Sequence, residues 1–271
     1  MQHVVAKKRF GQHFLKNEGI ANKISESIDI QSIKNPLTKV LEIGPGTGIL
    51  TKQLMKRKDI DLYLIEVDNQ SVAYLEENYK EMMPHLFHED FLKFDITKMG
   101  NEPWIIVGNF PYNISTEILF RVLENKDLIP QLVGMFQKEV GERVAAPPGS
   151  KTYGIVSVLI QAYFDVEYLF TVEPNEFVPP PKVRSGVIRL KRNENKQLKI
   201  DYKTFSRIVK LAFNQRRKTL RNSLKSLINN TISDQKIFDL RPEQLSVEAF
   251  EHLALQISQI PNNIKILNKD E

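Results

Sequence analysis

A glycine-rich turn between a short strand and a helix is the feature that most constrains the fold of this chain. The apolar run at 40–43 predicts a buried strand, the glycines Gly44, Gly46 and Gly48 follow it, and residues 49–57 have helical periodicity. Glycine lets the backbone turn tightly and approach a ligand closely. Because further strands alternate with helices down to residue 190, the chain is predicted to be an α/β protein with a mostly parallel sheet.

Positive charge is concentrated in one segment of the sequence. The 271-residue chain has a formal net charge of +5, but residues 182–225 alone carry +13 and the remainder −8. This asymmetry favours a polyanionic partner such as nucleic acid over a merely solvated basic face. The sequence has no cysteine and no apolar run of about 18 residues, so we expect no disulfide, no thiolate metal site and no membrane helix.

The residues around the glycine turn favour S-adenosylmethionine over a dinucleotide. The spacing is GxGxG rather than GxGxxG, and Glu42 lies two residues before the first glycine. A carboxylate suits a cationic ligand, and S-adenosylmethionine carries an ammonium group and a positive sulfur. Glu66 ends the second predicted strand, where it can accept hydrogen bonds from both ribose hydroxyls. Asp90, after the third strand, can bond the adenine amino group, although either carboxylate alone also fits a solvated strand end.

The sequence Asn109-Phe110-Pro111-Tyr112 ends the fourth predicted strand. It indicates methylation of an exocyclic base amine. An exocyclic base amine is a poor nucleophile, because its lone pair is delocalised into the ring. The Asn109 side-chain oxygen and a backbone carbonyl beside Pro111 can accept its two N–H bonds, which favours a tetrahedral nitrogen. Tyr112 offers a ring on which an extruded base can stack. In isolation, the four residues could equally be a turn that ends a strand.

Five motifs occur in a fixed order along nearly the whole chain. They are FGQHFL at 10–15, EIGPGTG at 42–48, GNFPYNIS at 108–115, FVPPPKV at 177–183 and AFNQRRKT at 212–219. Together they resemble the bacterial small-subunit (16S) rRNA adenine N6,N6-dimethyltransferase family. The resemblance implies a Rossmann-like S-adenosylmethionine methyltransferase domain with a basic arm at 1–192 and a small all-helical domain at 193–271 that contributes to rRNA binding. It implies dimethylation of two adjacent adenines in the 3′-terminal rRNA hairpin, on a late-assembling 30S subunit.

The resemblance also assigns roles to individual residues. It places the cofactor against His13, Leu15, Gly44, Gly46, Glu66, Asp90 and Asn109. The expected catalytic set is Asn109, Phe110, Pro111, Tyr112 and Phe177. In this set Phe177 would face Tyr112 across the target base, although a core aromatic is the alternative. His13 stands where relatives often have asparagine, and Phe110 where leucine is usual. The expected rRNA-binding residues are Arg216, Arg217, Lys218 and Arg221. A helix is predicted at 218–228, and on a helix positions 217, 218 and 221 share one face.

Two other functions remain open from the sequence. One is a large-subunit rRNA adenine methylase of the macrolide-resistance type, and the other is a non-catalytic nucleic-acid binder. The 177–183 and 214–219 motifs argue against the first, and the intact Glu66, Asp90 and Asn109 against the second. We expect a cytoplasmic monomer that uses no metal, because methyl transfer from a sulfonium needs none.

Overall fold

The described residues of the computed structural model, 4–7, 10–30, 37–229 and 232–260, form two compact units. The first comprises the described parts of Met1–Glu142 and Asp165–Arg192, and the second those of Arg143–Phe164 and Asn193–Glu271. The expected domains are the contiguous ranges 1–192 and 193–271. The two units differ from these ranges, because residues 143–164 group with the second unit. Their helix Ile155–Gln161 packs against the helix Tyr202–Asn214. The Gln161 side chain also donates to the main-chain carbonyls of Val144 and Ala146.

The described residues contain nine strands. They are β1 Phe14–Leu15, β2 Thr38–Ile43, β3 Ile60–Ile65, β4 Leu86–Phe87, β5 Trp104–Asn109, β6 Gln131–Gln137, β7 Phe164–Val172, β8 Phe177–Val178 and β9 Ser185–Arg192. The large sheet has the order β4-β3-β2-β5-β6-β9-β7, and β1 pairs separately with β8. Strands β2 to β6 pair in parallel, and β9 runs antiparallel to β6. This topology confirms the predicted α/β fold with a mostly parallel sheet.

Helices connect the strands of the first unit and are the regular elements of residues 193–229 and 232–260 in the second. In chain order they are α1 Glu18–Glu26, α2 Ile49–Leu54, α3 Asn69–Asn78, α4 Ser115–Glu124, α5 Lys138–Ala145, α6 Ile155–Gln161, α7 Tyr202–Asn214, α8 Leu220–Ser223 and α9 Val247–Ser258. Capping side chains define several starts: Asn17 caps α1, Asp201 caps α7 and Ser246 caps α9. Within 193–229 and 232–260 no strand occurs, as predicted for a helical C-terminal domain.

Two predicted elements differ from the structure. The helix expected at 156–164 ends at Gln161, and the chain continues as β7 on the edge of the sheet. The helix expected at 218–228 is reduced to α8, because the chain turns between α7 and α8, where the Lys218 N–H donates to the Gln215 carbonyl over 2.8 Å. None of the helices in the described ranges is both long and apolar enough to cross a membrane.

Candidate active site

A cleft opens at the carboxyl edge of the sheet, where the strand order reverses. Strand β2 lies between β3 and β5, so the connections leaving β2 and β5 diverge to opposite sides. Such a switch point is where α/β sheets bind ligands. Gly44 follows β2, Glu66 follows β3 and Asn109 ends β5. The cleft is lined by residues 10–14, Ile43, Gly44, Gly46, residues 65–67, 89–92 and 109–114.

The glycine turn has a backbone that only glycine adopts readily. Gly44, Gly46 and Gly48 have φ values of 66°, 57° and 76°. A Cβ on Gly46 would lie 2.8 Å from the Phe14 ring, and one on Gly48 would lie 2.5 Å from the Tyr79 ring. At Gly44, in contrast, no atom lies within 4 Å of the Cβ position. The turn is therefore packed tightly behind Gly46 and Gly48 and open at Gly44.

The Glu66 carboxylate is buried at the cleft and held by the main chain. Oε1 accepts from the N–H groups of Val67 and Asp68, both at 2.9 Å, and Oε2 accepts from the Gly46 N–H at 3.2 Å. Burial raises the pKa of Glu66, and these three hydrogen bonds oppose that rise. Since a carboxylate has about four acceptor sites, Glu66 retains capacity for a hydroxyl donor from the cleft.

Glu42 is the other buried carboxyl beneath the turn. It is 2% exposed and accepts a hydrogen bond of 2.7 Å from the Thr51 hydroxyl. It lines a small cavity that Gly44 and Asn109 share, rather than the main cleft. Burial raises the pKa of Glu42 to about 8, and the charge of Glu66 adds to the rise. A positive charge nearby would favour its ionised form.

Asp90 lies in the wall of the cleft after β4. It is half-buried, and its Oδ1 accepts a hydrogen bond of 3.0 Å from the Leu92 N–H. Asp90 and Glu66 thus lie in the same cleft, as expected for two ends of one nucleoside. Among the described residues, no cluster of His, Asp and Glu could hold a metal ion.

The turn after β5 presents one polar and one aromatic side chain to the cleft. The Asn109 amide donates to the His13 carbonyl over 2.9 Å, which leaves Oδ1 as an acceptor. The Phe110 ring is only 1% exposed and packs on Phe136, while the Phe110 N–H donates to Met135. Phe110 therefore anchors the turn through the core. Pro111 and Tyr112 line the cleft beyond it.

Tyr112 is fixed by Ser185, a residue that lies outside all five sequence motifs. Its hydroxyl shares a hydrogen bond of 2.7 Å with the Ser185 hydroxyl, which is completely buried at the start of β9. Burial raises the pKa of Tyr112, so the phenol keeps its proton at neutral pH. Ser185 lies 73 residues away in sequence, and no motif spacing could have predicted this contact.

Leu15 and Phe177 are core residues in this structure. They pair across β1 and β8, are 3% and 1% exposed, and belong to the same hydrophobic core. Neither contributes to the main cleft. The expectation that Phe177 faces Tyr112 across the target base therefore differs from the structure, since the strand pairing directs this ring into the core.

The four expected rRNA-binding residues lie in the second unit, around the turn between α7 and α8, and are not equivalent. Arg216 donates to the Lys151 carbonyl, and Arg221 forms an ion pair of 2.7 Å with Asp239 and also donates to Ser233. Arg217 and Lys218 are exposed and form no ion pair within the described residues. The expected common helix face is wrong, because residues 215–219 precede α8.

Comparisons with known proteins identify relatives over nearly the full length. A family model described as ribosomal RNA adenine dimethylase matches residues 4–259. A protein named ribosomal RNA small subunit methyltransferase A from Bacteroides thetaiotaomicron is 51% identical over 262 residues, covering 96% of each chain. Its namesake from Flavobacterium johnsoniae is 52% identical over 259 residues, covering 95% of this chain and 97% of its own.

Solved structures share the fold. A dimethyladenosine transferase from Plasmodium falciparum superposes with a TM-score of 0.76 at 24% identity, over 91% of this chain and 98% of its own. A 23S rRNA methyltransferase, ErmE, superposes with a TM-score of 0.67 at 24% identity, over 91% of this chain and all of its own.

Proposed function

The chain belongs to the ribosomal RNA adenine dimethylase family, and from that premise we propose that it dimethylates the N6 amino groups of two adjacent adenines in the 3′-terminal hairpin of small-subunit rRNA. S-adenosylmethionine is the proposed methyl donor, and the assembling 30S subunit is the proposed substrate. The observation that carries the proposal is the meeting of Asn109 and Tyr112 with the glycine turn in one cleft of this family's fold.

The residues at the carboxyl edge of the sheet fit S-adenosylmethionine. The open position at Gly44 lets a ligand approach the backbone, and Glu66 has unused acceptor capacity for the ribose hydroxyls. Asp90 would hold the adenine, while Gly46 and the main chain at His13 would complete the wall. The Leu15 side chain lies in the core, so Leu15 would act only indirectly, by anchoring β1 beside the cleft residues His13 and Phe14. When bound, S-adenosylmethionine supplies an electrophilic sulfonium methyl group.

Asn109 and the following peptide bond would prepare the target amine. The Asn109 amide nitrogen is occupied by the His13 carbonyl, so Oδ1 is the group that can accept an N6–H bond. The Phe110 carbonyl accepts no hydrogen bond within the described residues and lies beside Pro111, so it can accept the second. Two acceptors on one amine favour a tetrahedral nitrogen, and the N6 proton is then released to solvent. The leaving group is good enough that no strong base and no metal is required.

Recognition of rRNA would involve the turn between α7 and α8. Arg217 and Lys218 are free to bind phosphate, whereas Arg216 and Arg221 would have to exchange internal partners for it. Phosphate contacts set affinity and register without touching the methyl donor. The resemblance supports action as a cytoplasmic monomer late in 30S assembly.

Methyl transfer to small-subunit particles and to large-subunit RNA, followed by mapping of the modified positions, tests the proposal. We expect two dimethylated adenines in the small-subunit hairpin. Asn109→Ala should lose nearly all methyl transfer and still bind the particles. Modification of large-subunit RNA instead would assign the macrolide-resistance activity, and binding without methylation by the wild type would indicate a non-catalytic binder.

A further inference from the structure

We propose that His13 is a positioning residue whose side chain, bonded to the Pro179 carbonyl, holds the Tyr112 ring in place at the adenine site. The inference rests on the proposed function, because Tyr112 acts there as the stacking surface. His13 also contacts Asn109 through its main chain. One residue therefore connects the amine acceptor, the stacking ring and the 177–181 segment.

Strand pairing explains why His13 reaches Pro179. In the antiparallel β1–β8 pair, Phe14 lies opposite Val178 and Leu15 opposite Phe177. The next pair in this register is His13 with Pro179. Proline has no N–H and cannot continue the ladder as a donor. The His13 side chain contributes a bond at this point instead, because its Nδ1 lies 2.8 Å from the Pro179 carbonyl oxygen.

This bond determines which nitrogen of the His13 ring carries a proton. A carbonyl oxygen only accepts hydrogen bonds, so Nδ1 must be the donor. The ring plane is then fixed by the strand pair rather than by solvent. The other ring nitrogen, Nε2, takes no part in the bond to Pro179. A neutral imidazole with its proton on Nδ1 can therefore form this bond.

The same ring packs against Tyr112. The two ring centroids are 5.4 Å apart with an interplanar angle of 32°, a tilted aromatic contact. At its other end the Tyr112 hydroxyl is bonded to buried Ser185. Tyr112 is therefore held at the hydroxyl by β9 and at the ring by His13, and loss of the ring contact frees the stacking surface to tilt.

The main chain of His13 acts on a second group of the site. Its carbonyl accepts the Asn109 amide hydrogen at 2.9 Å, which leaves Asn109 Oδ1 as the acceptor for the target amine. This main-chain bond survives side-chain substitution. Variants of His13 therefore test the ring and its Nδ1 donor without removing the partner of Asn109.

Three substitutions separate the two functions of the side chain. His13→Asn keeps a donor near Nδ1 and removes the ring, His13→Phe keeps a ring and removes the donor, and His13→Ala removes both. One lost neutral hydrogen bond or one lost aromatic contact corresponds to about a 2-fold to 12-fold effect. We expect each single-function variant to lower kcat by that factor. His13→Ala should lower it by about 10-fold to 100-fold, within the range that misplacement of reacting groups causes.

Binding, spectroscopy and a mutant cycle distinguish positioning from a cofactor contact. We expect His13→Ala to keep the S-adenosylmethionine dissociation constant, measured by calorimetry, within about 2-fold of wild type, since the ring bonds Pro179 and Tyr112. The Tyr112 ring resonances of tyrosine-labelled protein should shift. In a Tyr112→Ala background, the effect of His13→Ala on kcat should shrink, because residues that act through each other are not additive.

Three results would overturn the proposal: unchanged Tyr112 resonances, full additivity with Tyr112→Ala, or a loss of cofactor affinity as large as the loss of kcat. If His13→Ala fails to fold, His13→Asn replaces it in these tests, because it keeps a donor for the Pro179 carbonyl. A wild-type protein that methylates no rRNA would refute the proposed function instead. Unchanged Tyr112 resonances, a result that needs no substrate, would still refute the role of His13.

Discussion

The Phe110 ring occupies the space that the absent side chain of Gly134 leaves, because a Cβ on Gly134 would lie 2.0 Å from Phe110 Cε2. Gly134 lies in β6, next to β5, from which the Asn109 turn projects. Gly108, in β5, also leaves room for the Phe110 ring, because a Cβ on Gly108 would lie 2.7 Å from that ring. Two strand glycines therefore position the turn that carries the proposed amine acceptor.

Gly134→Ala should lower the free energy of unfolding by about 1–3 kcal/mol, because overpacking forces the Phe110 ring from its position. Methyl transfer should fall as well, since Phe110 anchors the Asn109 turn. Denaturant unfolding and kcat measure the two effects. Gly154→Ala is the control, because its Cβ would lie 4.0 Å from the nearest atom, and its stability should stay within about 0.5 kcal/mol of wild type. Equal destabilisation by both substitutions would contradict the prediction.

Glu66→Ala should weaken S-adenosylmethionine binding by about 1.5–3 kcal/mol, through loss of charge-assisted hydrogen bonds to the ribose. It should also lower stability, because the N–H groups of Gly46, Val67 and Asp68 lose their acceptor. Calorimetric titration and thermal unfolding separate the two effects. Glu76→Ala, an exposed acid on α3, is the matched control. Unchanged cofactor affinity in Glu66→Ala would refute the role assigned to Glu66.

Tyr112→Phe should keep most of the methyl-transfer rate and lose stability. The ring remains available for stacking, but buried Ser185 loses its partner, a cost of about 1–3 kcal/mol for an unsatisfied group. Tyr112→Ala should lose activity more severely, because base stacking contributes about 1–3 kcal/mol. Kinetics and unfolding are measured together, with Ser185→Ala as the companion variant. If Tyr112→Phe were as inactive as Tyr112→Ala, the hydroxyl rather than the ring would be essential.

Glu42 should make stability depend on pH. A carboxyl whose pKa is raised from 4.5 to about 8 on folding keeps a proton that the unfolded chain loses. Its contribution to stability is therefore full below pH 4.5 and is lost as pH rises through about 8. Glu42→Gln keeps an acceptor for the Thr51 hydroxyl. It should remove the contribution of Glu42 to the slope of unfolding free energy against pH, which is up to about 1.4 kcal/mol per pH unit. Glu76→Gln should leave that slope in place, and a wild-type slope in Glu42→Gln would exclude Glu42 as its source.

Reversing the charge of Arg217 and Lys218 should weaken binding to rRNA or to the small subunit. Two lost phosphate contacts should reduce the slope of log affinity against log salt by about 1.4–1.8. Cofactor affinity should not change. The same reversal at Lys23 and Lys58, two exposed lysines of the first unit, controls for net charge. An unchanged salt slope would show that this turn is solvated surface. Arg221→Glu is unsuitable as a test, because it also breaks the ion pair with Asp239.

Local sequence determined the fold class, the strand–turn–helix unit and the family. The turn has a left-handed backbone at Gly44, Gly46 and Gly48, which glycine adopts readily, and alternating apolar segments predict a sheet connected by helices. Both predictions follow from local sequence and do not depend on distant residues. The order of motifs led to an rRNA adenine dimethyltransferase, which the family match confirms. The carboxylates Glu66 and Asp90 could be placed in one cleft because parallel strands end at a common edge.

Tertiary structure alone decided which side chains line the cleft and which are buried. Phe177 and Leu15 share motifs with cleft residues, but the pairing of β1 with β8 places both in the core. The internal partners of Arg221 come from residues 12 and 18 positions away, so its ion pair could not be inferred from charge density. The contacts of His13 with Pro179 and of Tyr112 with Ser185 join residues 166 and 73 positions apart. Such contacts depend on strand register over long sequence separations, which local periodicity does not encode.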